Sequence, residues 1–168
     1  MTQVPLPPPY SHGPWPGLGV PSLPRLALEP TRSHGGMFDG AWWPRSTNLR
    51  AELPDLITAL SVHLGPILRV GLDTVTWGAV PREVAANGRL VKVGWLTTSD
   101  DTISLTTDAE DHVLLLVVPP CTEPRIAAAA LAAAARTGNH ASAAELLAWS
   151  DLGAQDSQDS PDSRAAKD

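Results

Sequence analysis

The sequence predicts an α+β domain, in which an antiparallel β-meander of about four to six strands is packed by one amphipathic helix and an Ala-rich C-terminal helix. Apolar residues recur at helical spacing from Leu49 to Leu64, and alternation with period two follows over residues 67–118. A run rich in alanine, Ile126–Arg136, then favours a second helix. The chain has 168 residues and is 43% hydrophobic, which suffices for one core. We therefore expect a single domain over residues 25–150.

The two ends of the chain differ in composition from this domain. Residues 1–24 form a leader rich in Pro and Gly, and residues 151–168 form a tail rich in Asp. Neither end offers the apolar residues that would repay the entropy of ordering it, so both are expected to be disordered or, for the leader, polyproline II. A leader of this composition could instead dock into an aromatic groove.

The domain is expected to begin with two extended segments. Arg25–Glu29 alternates polar and apolar residues and predicts a short edge strand, and Met37–Trp43 predicts another extended piece after a loop with paired glycines. Since side chains alternate along a strand, Trp42 and Trp43 should point to opposite faces. One indole should enter the core, and the other should meet a different layer or the solvent.

The amphipathic helix is predicted from Ser46 to Leu64, with Ser46 as its cap and Gly65-Pro66 as its end. Pro54 conflicts with this, because an internal proline removes a hydrogen bond and costs about 3 kcal/mol. Either the residues up to Leu53 form a separate opening turn, or the helix kinks at Pro54.

The meander is predicted from four extended segments joined by short links. Residues Pro81–Gly88 are expected to interrupt it, and the strands are Ile67–Trp77, Arg89–Leu96, a short strand with Ile103 and Leu105, and Val113–Val118. The last segment is apolar without alternation, which is typical of a strand covered on both faces.

Two helices are predicted after the sheet. Thr122 can cap the first, with Glu123 and Pro124 in its opening turn. Ser142 and Glu145 have the spacing of a capping box and predict a short last helix.

Composition excludes several classes of partner and site. The formal charge of −6 is unfavourable for binding nucleic acid or an anionic membrane, because both reward a basic patch. A single cysteine cannot form an internal disulfide or a thiolate metal cluster. The leader lacks the basic start of a signal peptide, and the apolar runs are shorter than the ~20 residues of a membrane span. We therefore expect a cytoplasmic protein whose partner is another protein or a small molecule.

The order of the segments resembles that of an actinobacterial protein family, a domain of unknown function. Its marker is the stretch Asp39–Ser46, which is Asp-Gly-Ala-Trp-Trp-Pro-Arg-Ser. The resemblance spans roughly residues 25–136 and also rests on Arg25-Leu-Ala-Leu-Glu-Pro, Ala51-Glu-Leu-Pro, Arg69–Trp77, Gly88–Trp95 and Leu114–Pro120. It implies a lineage and a domain extent, but no substrate, reaction or cofactor.

Metal and nucleophile chemistry find little support in the spacing of the residues. The five histidines are scattered, and no pair has the i, i+4 spacing that puts two imidazoles on one helical face. His34, Asp39 and Asp73 could converge only through the fold. Cys121 could lie at a helix N-terminus, where a thiol is activated, but a lone thiol there is more often a filler. No nucleophile elbow or phosphate loop occurs, and we expect no metal and no cofactor.

Acid and base chemistry would need carboxylates in a dry cleft. Asp39, Glu52 and Asp73 are candidates by position. Asp73 is expected on the same strand face as Arg69, and the simpler account is that both belong to a solvated sheet face.

The indoles and arginines form the other candidate site. A surface of Trp and Arg is typical of a binding hot spot, and Arg45, Arg69 or Arg89 could lie over an indole face. The candidate binding residues are Asp39, Trp42, Trp43, Arg45, Arg69, Asp73, Trp77 and Trp95. Alternatively, the indoles fill the interface between helix and sheet. The sequence thus favours a non-enzymatic binding or regulatory domain, and the alternative is a small enzyme with Asp39 or Asp73 in a cleft beside Trp43.

Overall fold

The computed structural model describes residues 23–156 except 74–76, 78 and 97–100. The described chain forms seven strands and three helices, in the order β1 Arg25–Leu28, β2 Gly40–Trp43, α1 Leu49–Leu64, β3 Ile67–Leu72, β4 Glu83–Ala86, β5 Arg89–Trp95, β6 Thr102–Thr107, β7 His112–Val117, α2 Pro124–Ala134 and α3 Ala143–Asp156. The predicted edge strand at Arg25 is confirmed as β1. Residues 1–22 of the leader and 157–168 of the tail lie outside the described residues, and the domain boundaries stay a prediction.

All seven strands form one sheet in the order β1-β2-β7-β6-β3-β5-β4. The pairs β2–β7 and β3–β5 are parallel, whereas the other neighbouring pairs are antiparallel. The α+β class is confirmed, but the antiparallel meander of four to six strands is wrong. The sheet is mixed because β2 and β3 each pair in parallel with a strand that is not their neighbour in sequence, which hairpin links cannot achieve.

Strand β4 lies inside the segment that was expected to interrupt the sheet. Ala86 pairs with Arg89 across a two-residue turn, in which Asn87 and Gly88 have φ values of 52° and 71°. Asn-Gly favours this turn, because both central residues must adopt positive φ. The predicted long strand Ile67–Trp77 is also wrong, since β3 stops at Leu72.

Helix α1 starts later than predicted. Its N-cap is Asn48, not Ser46. The Ser46 hydroxyl instead donates a hydrogen bond of 2.9 Å to Glu52 and accepts one from the Asn48 N–H. Ser46 therefore fixes the approach to the helix without capping it.

The helix is continuous through Pro54, so a separate opening turn is wrong. It ends as predicted, because Gly65 has φ of 84° and its N–H donates to the carbonyl of Ser61. The predicted apolar face is buried, and its residues are Leu49, Leu53, Leu56, Ile57 and Leu60.

The C-terminal helices begin differently from one another. Helix α2 has Glu123 as its N-cap, and Thr122 does not cap it. The capping box of α3 is confirmed, since the Ser142 N–H donates to Glu145 at 2.8 Å and the Glu145 N–H donates to the Ser142 hydroxyl. These hydrogen bonds lower the pKa of Glu145. Within the described residues, no helix is long and apolar enough to cross a membrane.

The helices lie on opposite faces of the sheet and create two apolar clusters. Trp42 belongs to the cluster under α1, and Ala41 belongs to the cluster under α2 and α3. Trp43 packs against the second cluster, so the two indoles point to opposite faces as predicted. Strand β7 contributes to both clusters, which confirms that it is covered on both faces.

The second helical layer reaches only part of the sheet. Helix α2 packs on β1, β2 and β7, which we call the covered half. Strands β6, β3, β5 and β4 form the bare half, where α1 packs on one face. On the other face Arg69 and Lys92 are paired in register and exposed.

Candidate functional site

A narrow cleft opens at the rim of the covered half, beside the end of α1. Its walls combine three leucine or valine side chains with five ionisable ones and a threonine. The lining residues are Leu28, Glu29, Arg32, His34, Asp39, Leu64, Thr107, Asp111 and Val113. The cleft therefore gathers residues that lie far apart in the sequence.

Glu29, just after β1, is fixed by four hydrogen bonds. It accepts from the hydroxyls of Thr31 and Thr137, each at 2.5 Å, and from the N–H groups of Thr31 and Ser33 at 3.1 Å. Its side chain is buried. The hydrogen bonds from Thr137 and Thr31 lower the pKa of Glu29 to about 2. Glu29 is thus a permanent carboxylate that shapes the loop after it.

The loop from residue 30 to 39 is also held by the connection between α2 and α3. The Met37 N–H donates to the carbonyl of Asn139 at 2.6 Å. A Cβ on Gly36 would lie 2.9 Å from that same carbonyl oxygen, so the approach requires glycine. The loop is therefore clamped at both ends before it reaches Asp39.

Asp39 joins the loop to the sheet and binds a histidine. One carboxylate oxygen accepts from the Leu114 N–H at 2.9 Å, and the other lies 2.8 Å from Nδ1 of His34. The Asp39 side chain is 17% exposed and that of His34 is 52% exposed. With Nδ1 facing the carboxylate, the second imidazole nitrogen, Nε2, is directed away from Asp39.

The remaining charged residues of the cleft lie at its mouth. Arg32 donates to the carbonyl of His63 in the last turn of α1. Asp111 is exposed, and its N–H donates to the Thr107 hydroxyl at 3.2 Å. The cleft thus has an apolar wall and an acidic rim, and it can offer an imidazole nitrogen and carboxylate oxygens to a bound group.

Two of the candidate indoles are structural. Trp42 and Trp77 are 1% and 3% exposed, and their rings stack with centroids 5.7 Å apart. They lie in the cluster under α1 and cannot reach a partner.

Trp43 is partly buried beneath an arginine that was not predicted to contact it. The guanidinium of Arg25 lies 3.4 Å from the centre of the Trp43 ring and donates to the carbonyls of Trp43 and Pro44. Burial and the neighbouring Arg45 lower the pKa of Arg25. Arg45 itself is exposed and donates to the carbonyl of Leu23. This cluster fastens β1 to the end of β2.

Asp73, Arg69 and Trp95 lie in the bare half. Asp73 follows β3 and is 2% exposed, and its carboxylate accepts from the Asp101 N–H at 3.0 Å. The idea that Asp73 and Arg69 share a solvated face is therefore wrong, because β3 ends before Asp73. Arg69 is exposed, and Trp95 is 55% exposed at the end of β5. The structure does not bring these residues to Asp39.

The sequence offered Asp39 or Asp73 for a cleft beside Trp43, whereas the cleft that contains Asp39 is lined by neither Trp43 nor Asp73. Glu29 and Arg32 were not predicted as neighbours of Asp39. The signals were weak: Glu29 was the last residue of a predicted strand, and Thr31 and Ser33 offered local donors to it. Among the described residues, no group of three or more His, Cys, Asp or Glu is arranged to hold a metal ion.

Comparison with known proteins gives one match. The model of a family described as a family of unknown function, DUF5994, matches residues 25–134. No curated protein and no solved structure matches the chain. The matched residues include β1 to β7 and α2, and with them every residue that lines the cleft.

Proposed function

Because the chain belongs to the DUF5994 family, whose function is unknown, we propose a function from its own geometry: a non-enzymatic domain that binds a small molecule in the cleft of His34 and Asp39. The proposal retains the binding role favoured by the sequence. It moves the site away from the Trp and Arg surface, because Trp42 and Trp77 are buried.

The observation that supports this role is the convergence of a few polar groups on an apolar wall. Leu28, Leu64 and Val113 supply the wall, and the His34–Asp39 pair supplies a fixed polar anchor. Small-molecule sites in proteins are typically concave and largely apolar, with a small number of placed polar groups. The cleft is narrow, so it suits a small ligand or the end of a larger one.

The anchor is preorganised, which lowers the cost of binding. Asp39 is held by the Leu114 N–H, and the loop that presents His34 is held by Glu29 and by Asn139. A ligand that meets an ordered site loses less free energy to ordering the protein.

A fragment screen followed by amide chemical shifts tests the proposal. Fragments that bind should shift the amides of Leu114 and of the loop around His34, and His34→Ala should abolish those shifts. The matched control is His112→Ala, which removes an exposed histidine of β7 outside the cleft. Hits that survive His34→Ala, or that shift amides only in the bare half, would refute the site.

A small enzyme is the second candidate, and the His34–Asp39 contact favours it. A carboxylate that holds one imidazole nitrogen leaves the other free to act as a general base. Asp39→Asn distinguishes the two roles once a ligand is known. Loss of turnover with unchanged ligand affinity would establish catalysis, whereas a loss of affinity without any turnover in the wild type would support binding alone.

A further inference from the structure

We propose that the ligand of this cleft is a small organic cation, an ammonium group carrying a short apolar arm. This inference rests on the proposed binding function and adds the chemical class of the ligand.

The charges around the cleft favour a cation. Glu29, Asp39 and Asp111 place three carboxyl groups in its walls, against one arginine and one histidine. Glu29 is ionised at any physiological pH, since its pKa is about 2. The carboxylates lie beside the partly buried Leu28 and Leu64 and the buried Val113, where water screens their field less than at an open surface.

The one arginine in the walls is already engaged. The guanidinium of Arg32 donates to the carbonyl of His63, at the C-terminal end of α1. A helix C-terminus has a partial negative charge, which offsets the charge of a bound arginine. Arg32 therefore caps the C-terminal end of α1 and is poorly placed to bind an anion in the cleft.

Two of the three carboxylates already accept hydrogen bonds within the protein, and the third is open to a ligand. Glu29 accepts four hydrogen bonds, and Asp39 is shared between Leu114 and His34. Asp111 is exposed at the rim. Within the described part of the chain, its carboxylate accepts no hydrogen bond and forms no ion pair. We assign Asp111 as the group that binds the ammonium, with the other two supplying the field.

The apolar wall defines the rest of the ligand. Leu28, Leu64 and Val113 face the space between these acids. An ammonium ion alone would leave this wall in contact with water, whereas a chain of two to four carbons would cover it, at roughly 0.8 kcal/mol per buried CH₂.

Three probes with three carbons each test the charge of the ligand: propylammonium, 1-propanol and propionate. Titration of each into the full chain is followed by the amide shifts of Leu114 and Val113. We expect propylammonium to bind most tightly, and Asp111→Asn to weaken it about fivefold, as for a partly exposed ion pair. Glu83→Gln, which removes one negative charge from the bare half, should change its affinity by less than about twofold.

The outcomes separate this inference from the proposed function. Equal or tighter binding of propanol or propionate, or an Asp111→Asn variant that binds propylammonium as wild type does, would overturn the cationic ligand and leave the cleft as a binding site. If none of the three probes binds but the fragment screen gives hits in the cleft, the cationic ligand is likewise refuted. If the fragment screen also leaves the cleft unshifted, both proposals fail.

Discussion

The covered half of the sheet buries apolar side chains on both faces, whereas the bare half buries them on one face only. In the covered half, β7 has apolar side chains on both faces, because α1 lies on one side and α2 with α3 on the other. In the bare half, β4 alternates exposed and buried residues, as expected for a strand with one solvated face. The cleft lies at the rim of the covered half, where buried strands end in polar loops.

The difference between the halves shows where substitutions can be tolerated. A side chain in the covered half has packed neighbours whichever way it points, whereas on the open face of the bare half it meets water. The same change should therefore cost far more in one half than in the other, and the following predictions test that contrast.

Truncating an indole should give the largest difference. Trp42→Ala removes a buried ring and its stack on Trp77, and should lower the free energy of unfolding by about 3 to 5 kcal/mol. Trp95→Ala should cost less than about 1 kcal/mol, because Trp95 is 55% exposed. Urea denaturation of both variants measures the contrast. Similar losses of unfolding free energy in the two variants would mean that the open face of the bare half is covered by other atoms in solution.

Adding one methyl group should give the next largest effect. Gly40 has φ of 155°, and a Cβ there would lie 2.1 Å from the carbonyl oxygen of Ala27, so Gly40→Ala should cost about 2 to 3 kcal/mol. A Cβ on Gly94 has no atom within 4 Å, so Gly94→Ala should be neutral or slightly stabilising. Thermal unfolding compares the two. A destabilised Gly94→Ala would contradict the open face.

Neutralising Glu29 should change how stability depends on pH. Its pKa falls from an ordinary value of 4.5 to about 2 in the folded chain, so its ionised form stabilises the fold at higher pH. That stabilisation is lost as the pH falls from about 4.5 to about 2. Glu29→Gln should have a lower Tm at pH 7 and a flatter dependence of Tm on pH across that window.

The matched control for this change is Glu83→Gln on β4, where the carboxylate is exposed in the bare half. Glu83 lies opposite Lys92 on β5, so its loss should lower the Tm at pH 7 only slightly, as for an exposed ion pair. If Glu29→Gln behaves in the same way as this control, then Glu29 does not fix the loop.

The smallest effect is expected on the open face, and its sign is opposite. Arg69 and Lys92 lie directly opposite each other on β3 and β5, and like charges at such positions are unfavourable. Arg69→Thr places a threonine next to Thr106 and removes the repulsion, so it should stabilise by about 0.2 to 1 kcal/mol. The gain should shrink in high salt, where the repulsion in the wild type is screened. Destabilisation would indicate that Arg69 has a structural contact.

Local signals in the sequence predicted the local structure. The apolar face of α1, the capping box of Ser142 and Glu145, and the doubly covered strand at Val113 follow from periodicity, side-chain chemistry and composition, and the structure confirms them. The hairpin at Asn87-Gly88 could have been predicted as well, because that dipeptide is a strong turn signal.

Sheet order and the cleft could not be predicted in this way. The parallel pairs β2–β7 and β3–β5 depend on packing between segments far apart in the chain, and alternation alone does not distinguish parallel from antiparallel pairing. The contact between His34 and Asp39 depends on how Asn139 and Thr137 hold the loop. The spacing of residues along the chain does not predict these long-range hydrogen bonds.

The position of β7 also determines when the molecule can fold. It is the last of the described strands in sequence, yet it lies between β2 and β6 and is the only link between the early hairpin of β1 and β2 and the rest of the described sheet. On a ribosome, residues 25–107 can collapse but cannot assemble the complete sheet until β7 has emerged. Closing a pairing between strands so distant in sequence is slow and exposes apolar surface in the interval. Completion of the sheet should therefore follow the synthesis of β7 and depend on it.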